Sequence, residues 1–76
     1  MSKLKMISGK DCVKILCKNF SFKVVRQKGS HIVLKKEKAG CCVGTVVPNH
    51  KEIKIGTLKG ILELAKVKED DFIQYQ

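Results

Sequence analysis

One of the two histidines, His31, follows a glycine–serine pair and opens an alternating run of apolar and basic residues. Imidazole is the side chain best suited to take up and release a proton near neutral pH. Arg26, Lys28 and Lys35 stand close to it in the chain, and such cations attract a polyanion. A proton-transferring group among phosphate-binding cations is consistent with RNA binding and with RNA cleavage.

An RNA substrate would supply its own nucleophile, the 2′-hydroxyl beside the scissile phosphate. The protein would have to remove the hydroxyl proton, stabilise charge on the phosphate and protonate the leaving oxygen. We predict that His31 is the general base or the general acid, a role that contributes roughly 10²–10⁴-fold to rate. The cations that could stabilise the phosphate are Arg26, Lys28, Lys35 and Lys10, the last at the expected start of a helix.

Two roles stay open for the second histidine, His50. It follows Pro48 in an expected connector over residues 49–56. It could be a second proton-transferring group, because one histidine seldom performs both transfers from separate positions. We favour a polar connector residue at this point, since the sequence does not place His50 against His31 and geometry has to be established first. His31 also has an alternative, that of an ordinary exposed strand histidine.

The charge of the chain favours an anionic partner. The 76 residues include 16 Lys and Arg against 7 Asp and Glu, and three of the acids cluster at 69–71. Residues 1–68 therefore hold 16 basic and 4 acidic residues, a net charge of +12. Such a charge predicts salt-sensitive association with phosphate backbones or with an acidic protein, although a basic surface can also serve solubility alone. Arg26 is the only arginine, so we expect backbone contact rather than base recognition by guanidinium groups.

The length predicts a single domain over residues 1–76 with one modest core. A chain this short buries roughly 60% of the surface that its unfolded form exposes. We therefore expect a site near the surface, and no small-molecule cofactor. The first residues form no apolar leader, and no apolar run approaches the ~20 residues of a membrane helix. We expect a cytoplasmic protein that does not associate with a membrane.

The four cysteines are expected to be reduced thiols without a metal. Cys12 and Cys17 have a spacing that zinc sites use, but both fall on different faces of an expected helix. Cys41 and Cys42 are adjacent, and neighbouring side chains rarely point at one ion. We interpret the first two as small, partly buried hydrophobes and the second two as an incidental pair in a turn.

The apolar pattern predicts the order α-β-β-β-α, with a short final helix. Ser8 is expected to cap the first helix and Thr57 the second. The predicted elements are helices over 8–19, from 57 through 65 and over 69–75, with strands over 20–25, 31–36 and 43–47. Turns are expected at 28–29 and 37–40. The sheet is predicted to be antiparallel, with the helices on one face.

Strand alternation predicts which side chains remain uncovered. Ile32 and Leu34 are the better core pair, and Phe22 and Val24 would join them from the first strand. Lys23 and Val25 would point the other way. His31, Lys35 and Lys23 would then share the uncovered face, unless a bulge changes the alternation.

Four segments of the chain resemble the HicA-type mRNA interferase toxins in the same order. They are residues 7–10, 22–31, 46–53 and 56–62, and the resemblance extends over about 7–73. It implies an α+β fold like that of a double-stranded-RNA-binding domain, and endoribonuclease activity on mRNA as the toxin of a toxin–antitoxin pair. It also implies that His31 is catalytic and that a HicB-type antitoxin covers it. The chain departs from the usual pattern at 40–42 and at Lys68, neither of which touches the catalytic motif.

The expected site thus consists of His31 as the catalytic residue and a set of nucleic-acid-binding residues. The latter are Lys10, Arg26, Lys28, Gly29, Ser30 and Lys35. Two other functions remain open. A non-catalytic RNA-binding module of the same fold would leave RNA intact, and a protein–protein adaptor would bind RNA with little salt dependence.

Overall fold

The computed structural model describes residues 4–38 and 40–76 as an α+β fold. Its elements are α1 (Gly9–Asn19), β1 (Lys23–Lys28), β2 (His31–Lys38), β3 (Cys41–Pro48), α2 (Ile55–Ala65) and α3 (Glu69–Ile73). The three strands form an antiparallel sheet in the order β1-β2-β3. The predicted fold class and element order are confirmed. Among the described residues no helix is long and apolar enough to cross a bilayer.

The first helix begins where its capping residue predicts. Ser8 has an extended backbone, and its Oγ accepts a hydrogen bond of 3.1 Å from the Asp11 amide. This bond satisfies one of the amides that a helix N-terminus leaves without a partner. Cys12 and Leu16, one turn apart, are fully buried. The helix therefore packs one apolar stripe against the sheet.

Two of the strands, β2 and β3, are longer than predicted. β1 has the predicted length but begins three residues later, at Lys23, because Ser21 before it has a left-handed φ of +63°. The turn between β1 and β2 consists of Gly29 and Ser30, one residue later than predicted. Gly29 has a φ of +60°, which suits the first position of a type II′ hairpin turn. β2 continues through Lys38 and β3 begins at Cys41. The chain therefore turns within the predicted 37–40, but over fewer residues, because Glu37 and Lys38 are paired with β3. The prediction that Cys41 and Cys42 lie in that turn is wrong, because both belong to β3. Ala39 lies outside the described residues.

A bulge interrupts β1. Val24 pairs with Leu34 and Arg26 pairs with Val33, so Val25 is an extra residue without a partner. Directly opposite residues of an antiparallel pair project from the same face, so Val24 shares the face of Leu34 as predicted. Val24 is nevertheless 50% exposed. The prediction that it joins the core is wrong, because β1 is the edge strand farthest from α2, which packs on β3.

The helices cover one face of the sheet. On that face Ile32 lies opposite Val47, and Leu34 lies opposite Thr45. All four are buried. Thr45 Oγ1 donates a hydrogen bond of 2.8 Å to the Ile61 carbonyl and so connects β3 to α2. The remaining core side chains are Cys12, Leu16, Phe22, Val43, Ile53, Leu58, Ile61, Leu62, Ala65, Val67 and Phe72.

The second helix begins two residues before the predicted cap. Lys54 is its N-cap and makes no capping bond through its side chain, while Thr57 lies inside the helix. The helix begins earlier because of a tertiary contact. Ile53 is buried and forms an isolated β-bridge with Ile7, and this contact fixes the point at which the chain enters the helix. The last helix is shorter than the predicted 69–75 and buries Phe72.

Candidate nucleic-acid interface and active site

The uncovered face of the sheet holds most of the residues predicted to act on RNA. His31 lies opposite Lys28, and Lys35 lies opposite Lys23. All four are exposed. Because opposite residues share a face and alternate residues of a strand do too, these four side chains project from the side that the helices leave open. We call this side the outer face.

The bulge in β1 brings two more cations to the outer face. If Val25 were paired like the other residues of the strand, strict alternation from Lys23 would place Arg26 and Lys28 on the side of Val24. Because Val25 is instead an extra residue, Arg26 lies opposite Val33 and Lys28 opposite His31. A bulge of this kind shifts the inward–outward alternation of the sequence by one residue. The prediction from strict alternation did not place Arg26 and Lys28 on this face. The run of three polar residues after Val25 was a signal in the sequence that could have indicated the bulge.

His31 and His50 line the same cleft. It has a volume of about 520 Å³ and lies at the end of the sheet where β2 begins and β3 ends. Both histidines are exposed. The cleft is lined by His31, Pro48, His50, Glu52, Ile53, Lys54 and Thr57. The structure thus brings both histidines to the lining of one cleft, which the sequence did not predict.

Backbone hydrogen bonds fix the segment that carries His50. The Asn49 amide donates a hydrogen bond to the Ser30 carbonyl. This bond joins the two residues that precede His50 and His31 in the chain. The Gly9 amide donates to the His50 carbonyl at 2.8 Å, and the His50 amide donates to the Pro48 carbonyl at 2.9 Å. The connector is therefore held between the β1–β2 turn and the start of α1.

Gly9 permits this contact because it has no side chain. A Cβ atom at this position would collide with the Pro48 carbonyl oxygen and would lie 2.9 Å from the Asn49 Cα. Both are backbone atoms and cannot swing aside. The helix can approach the connector this closely only with glycine at the first helical position.

Lys10 does not line the histidine cleft. It is exposed in the first turn of α1. The amides of Gly9, Asp11 and Cys12 already donate to protein acceptors. We expected free amides at the helix N-terminus to help Lys10 bind a phosphate. That prediction is wrong for most of this turn, because three of its amides already donate hydrogen bonds within the protein.

Gly29 and Ser30 shape the turn in front of His31. Both are exposed, and Gln27 Nε2 donates a hydrogen bond of 3.2 Å to the Gly29 carbonyl. The Ser30 carbonyl accepts the bond from Asn49. The backbone of these two residues therefore positions the cleft, while the Ser30 side chain lies at the surface.

The cysteines differ in exposure: Cys12 is buried and Cys17 is half-buried. Burial raises the pKa of the Cys12 thiol to about 12. Burial also raises the pKa of Cys17, against a smaller opposing effect of a hydrogen bond with the Val24 backbone. Cys41 and Cys42 are exposed at the other end of the sheet. Within 4–38 and 40–76, no three His, Cys, Asp or Glu side chains are grouped so as to hold a metal ion.

Fold and surface together define a small basic α+β domain of the double-stranded-RNA-binding-domain type, with helices on one face and cations on the other. The family model described as the HicA toxin of bacterial toxin-antitoxin matches residues 9–67, and the chain belongs to that family. The match runs from α1 through α2 and includes both histidines. The resemblance seen in the sequence is thereby confirmed. No curated protein and no solved structure gives a significant match.

Proposed function

We propose that this protein is a metal-independent endoribonuclease that cleaves mRNA, with His31 as general acid or general base. The observation that carries the proposal is the position of His31: it is exposed on the outer face, directly opposite Lys28, at the mouth of a cleft. Membership of the HicA toxin family supports the same activity and a role as the toxin of a toxin–antitoxin pair.

The cations of the outer face support RNA as the substrate. Arg26 and Lys28 on β1 and Lys35 on β2 project from the same face as the His31 imidazole, with Lys28 directly opposite it. Positioned cations stabilise the negative charge that develops on a phosphate in the transition state. An open face also accepts a long polymer, which an enclosed pocket would exclude. The proposed site therefore combines proton transfer with charge stabilisation on one exposed surface.

The same surface is suited to inhibition by a HicB-type antitoxin. A net charge of +9 favours an acidic partner, since complementary charge accelerates and orients association. We propose that the antitoxin covers the outer face with His31. Reaction of the His31 imidazole with diethyl pyrocarbonate should be suppressed in the complex. A complex in which His31 reacts as fast as in the free toxin would contradict this arrangement.

The test of the proposed activity is cleavage of a long single-stranded RNA in EDTA. Wild-type protein should cut, and His31→Ala should lose roughly 10²–10⁴-fold of the rate. His31→Gln is the matched control, because an amide can still hydrogen-bond to RNA but cannot transfer a proton. It should bind RNA like the wild type and fail to cut.

A non-catalytic RNA-binding module of the same fold gives a different result in the same assay. The wild type would then bind RNA with a steep dependence on salt and leave it intact in EDTA and in magnesium alike. Wild-type cleavage that survives His31→Ala at full rate would remove His31 from the mechanism. Cleavage that requires magnesium would reject the metal-independent chemistry.

A further inference from the structure

We propose that His50 is the second proton-transferring group of the cleft, acting with His31 on the same phosphate. The inference rests on the proposed ribonuclease activity and extends it. Cleavage of RNA needs one proton removed and another delivered, at atoms on opposite sides of the phosphorus. The two imidazoles that line one cleft match these two requirements.

The pairing of the strands brings the histidines to the same end of the sheet. His31 lies directly opposite Pro48, and His50 follows two residues later. The chain turns just after Pro48 through the hydrogen bond from the His50 amide to the Pro48 carbonyl. A phosphate bound in the cleft that both residues line can therefore be reached from two different elements.

The connector holds His50 in place through its backbone and leaves its side chain available. The bond from Asn49 to Ser30 and the bond from Gly9 to the His50 carbonyl restrain the segment on both sides. Among the described residues neither imidazole makes a hydrogen bond to the protein. Both rings are therefore free to meet a substrate. Fixed backbone with an unengaged side chain is the arrangement that positioned catalysis requires.

Charged groups of both signs face the pair. Glu52 and Lys54 line the cleft from the connector, Lys28 faces His31 across the β1–β2 pair, and Lys10 lies in the first turn of α1 next to Gly9. Lys28 and Lys54 add positive charge beside the histidines, which favours a bound phosphate.

The chemical step balances with two histidines and no other reagent. One imidazole takes the proton from the 2′-hydroxyl, and the 2′-oxygen forms a bond to phosphorus. The bond between phosphorus and the 5′-oxygen breaks, and the leaving oxygen keeps the electron pair. The other histidine, as an imidazolium, gives that oxygen its proton. The products are a 2′,3′-cyclic phosphate and a 5′-hydroxyl.

The experiment compares two substrates whose leaving groups differ. One is a short RNA, and the other is a nucleoside 3′-(4-nitrophenyl phosphate), whose nitrophenolate departs without a proton. On RNA, His50→Ala and His31→Ala should each lose roughly 10²–10⁴-fold in kcat. On the nitrophenyl ester, the variant that lacks the general acid should recover to within about tenfold of the wild type, while the other stays slow.

Asn49→Ala is the matched control, because it alters the same exposed connector and keeps the backbone bond to Ser30. It should cut RNA at the wild-type rate. Thermal melting of His50→Ala should equal that of the wild type, since the side chain is exposed. If His50→Ala does not fold, His50→Gln replaces it in the assay. This variant should also fail to cut RNA.

Each other result rejects a distinct claim. If His31→Ala is inactive while His50→Ala cuts RNA like the wild type, the second histidine is not catalytic and the proposed ribonuclease stands. A His50→Ala effect confined to KM would make His50 an RNA contact and overturn its catalytic role. Equal loss by both variants on the nitrophenyl ester would show that neither is the acid. A wild type that cuts nothing would overturn the ribonuclease and this inference together.

Discussion

Neighbouring residues of β2 belong to two different surfaces. Leu34 is fully buried beneath the helices, whereas Lys35 is exposed on the outer face. The same division applies to Ile32 and His31. One strand thus contributes alternate residues to the core and to the proposed RNA surface. Substitutions on the covered face should therefore change stability, and those on the outer face should change binding or catalysis.

The largest expected effect is on the covered face. Leu34→Ala should reduce the free energy of unfolding by about 2–5 kcal/mol, because it removes buried methyl groups and leaves a cavity. That is a large fraction of the stability of a domain of this size. Urea denaturation measures the change. Val46→Ala on the outer face, where Val46 is 38% exposed, is the control and should change the stability far less. Equal losses in the two variants would contradict the division.

Neutralising two cations of β1 should weaken the outer face without touching the core. The double variant Arg26→Gln, Lys28→Gln removes two exposed positive charges from the strand that pairs with β2. The slope of log affinity for RNA against log salt should fall by about one for each lost cation. Val25→Ala alters the same strand without removing a charge and should keep the slope. An unchanged slope in the double variant would show that these two cations do not contact RNA.

A single cation on the outer face should have the smallest effect. Lys35→Gln should weaken binding to all RNA sequences and lower the salt slope by about one. Lys35 lies opposite Lys23, and like charges directly opposite each other destabilise a sheet. The substitution should therefore raise the melting temperature slightly while it weakens binding. Lys59→Gln on α2 removes the same charge from a helix and should leave RNA binding unchanged; a matching loss there would mean that the binding depends on net charge alone.

Local signals predicted much of this fold. The Ser8 cap, the alternation at Ile32 and Leu34, and the apolar stripe of α2 each depend on near neighbours in the chain. The structure agrees with all three. These features follow from local backbone geometry and from the burial of one face of a helix or strand. Such burial produces a periodic pattern of apolar residues in the sequence.

Features that depend on distant partners could not be predicted in this way. The bulge at Val25 is defined by pairing with β2, and the start of α2 is set by the bridge from Ile53 to Ile7. The position of His50 requires contacts with both Gly9 and the turn at Ser30. None of these contacts leaves a periodic signal. The sequence therefore identified His31 as a candidate but left His50 without a place.

The attachment of the connector to α1 has a consequence for biosynthesis. During translation the α1 and sheet segments leave the ribosome before residues 49–53 emerge. Only then can the Gly9 amide reach His50 and Ile7 reach Ile53. The cleft therefore cannot assemble before this segment emerges. A chain truncated before residue 50 lacks both the second histidine and the bond that the Gly9 amide donates to its carbonyl.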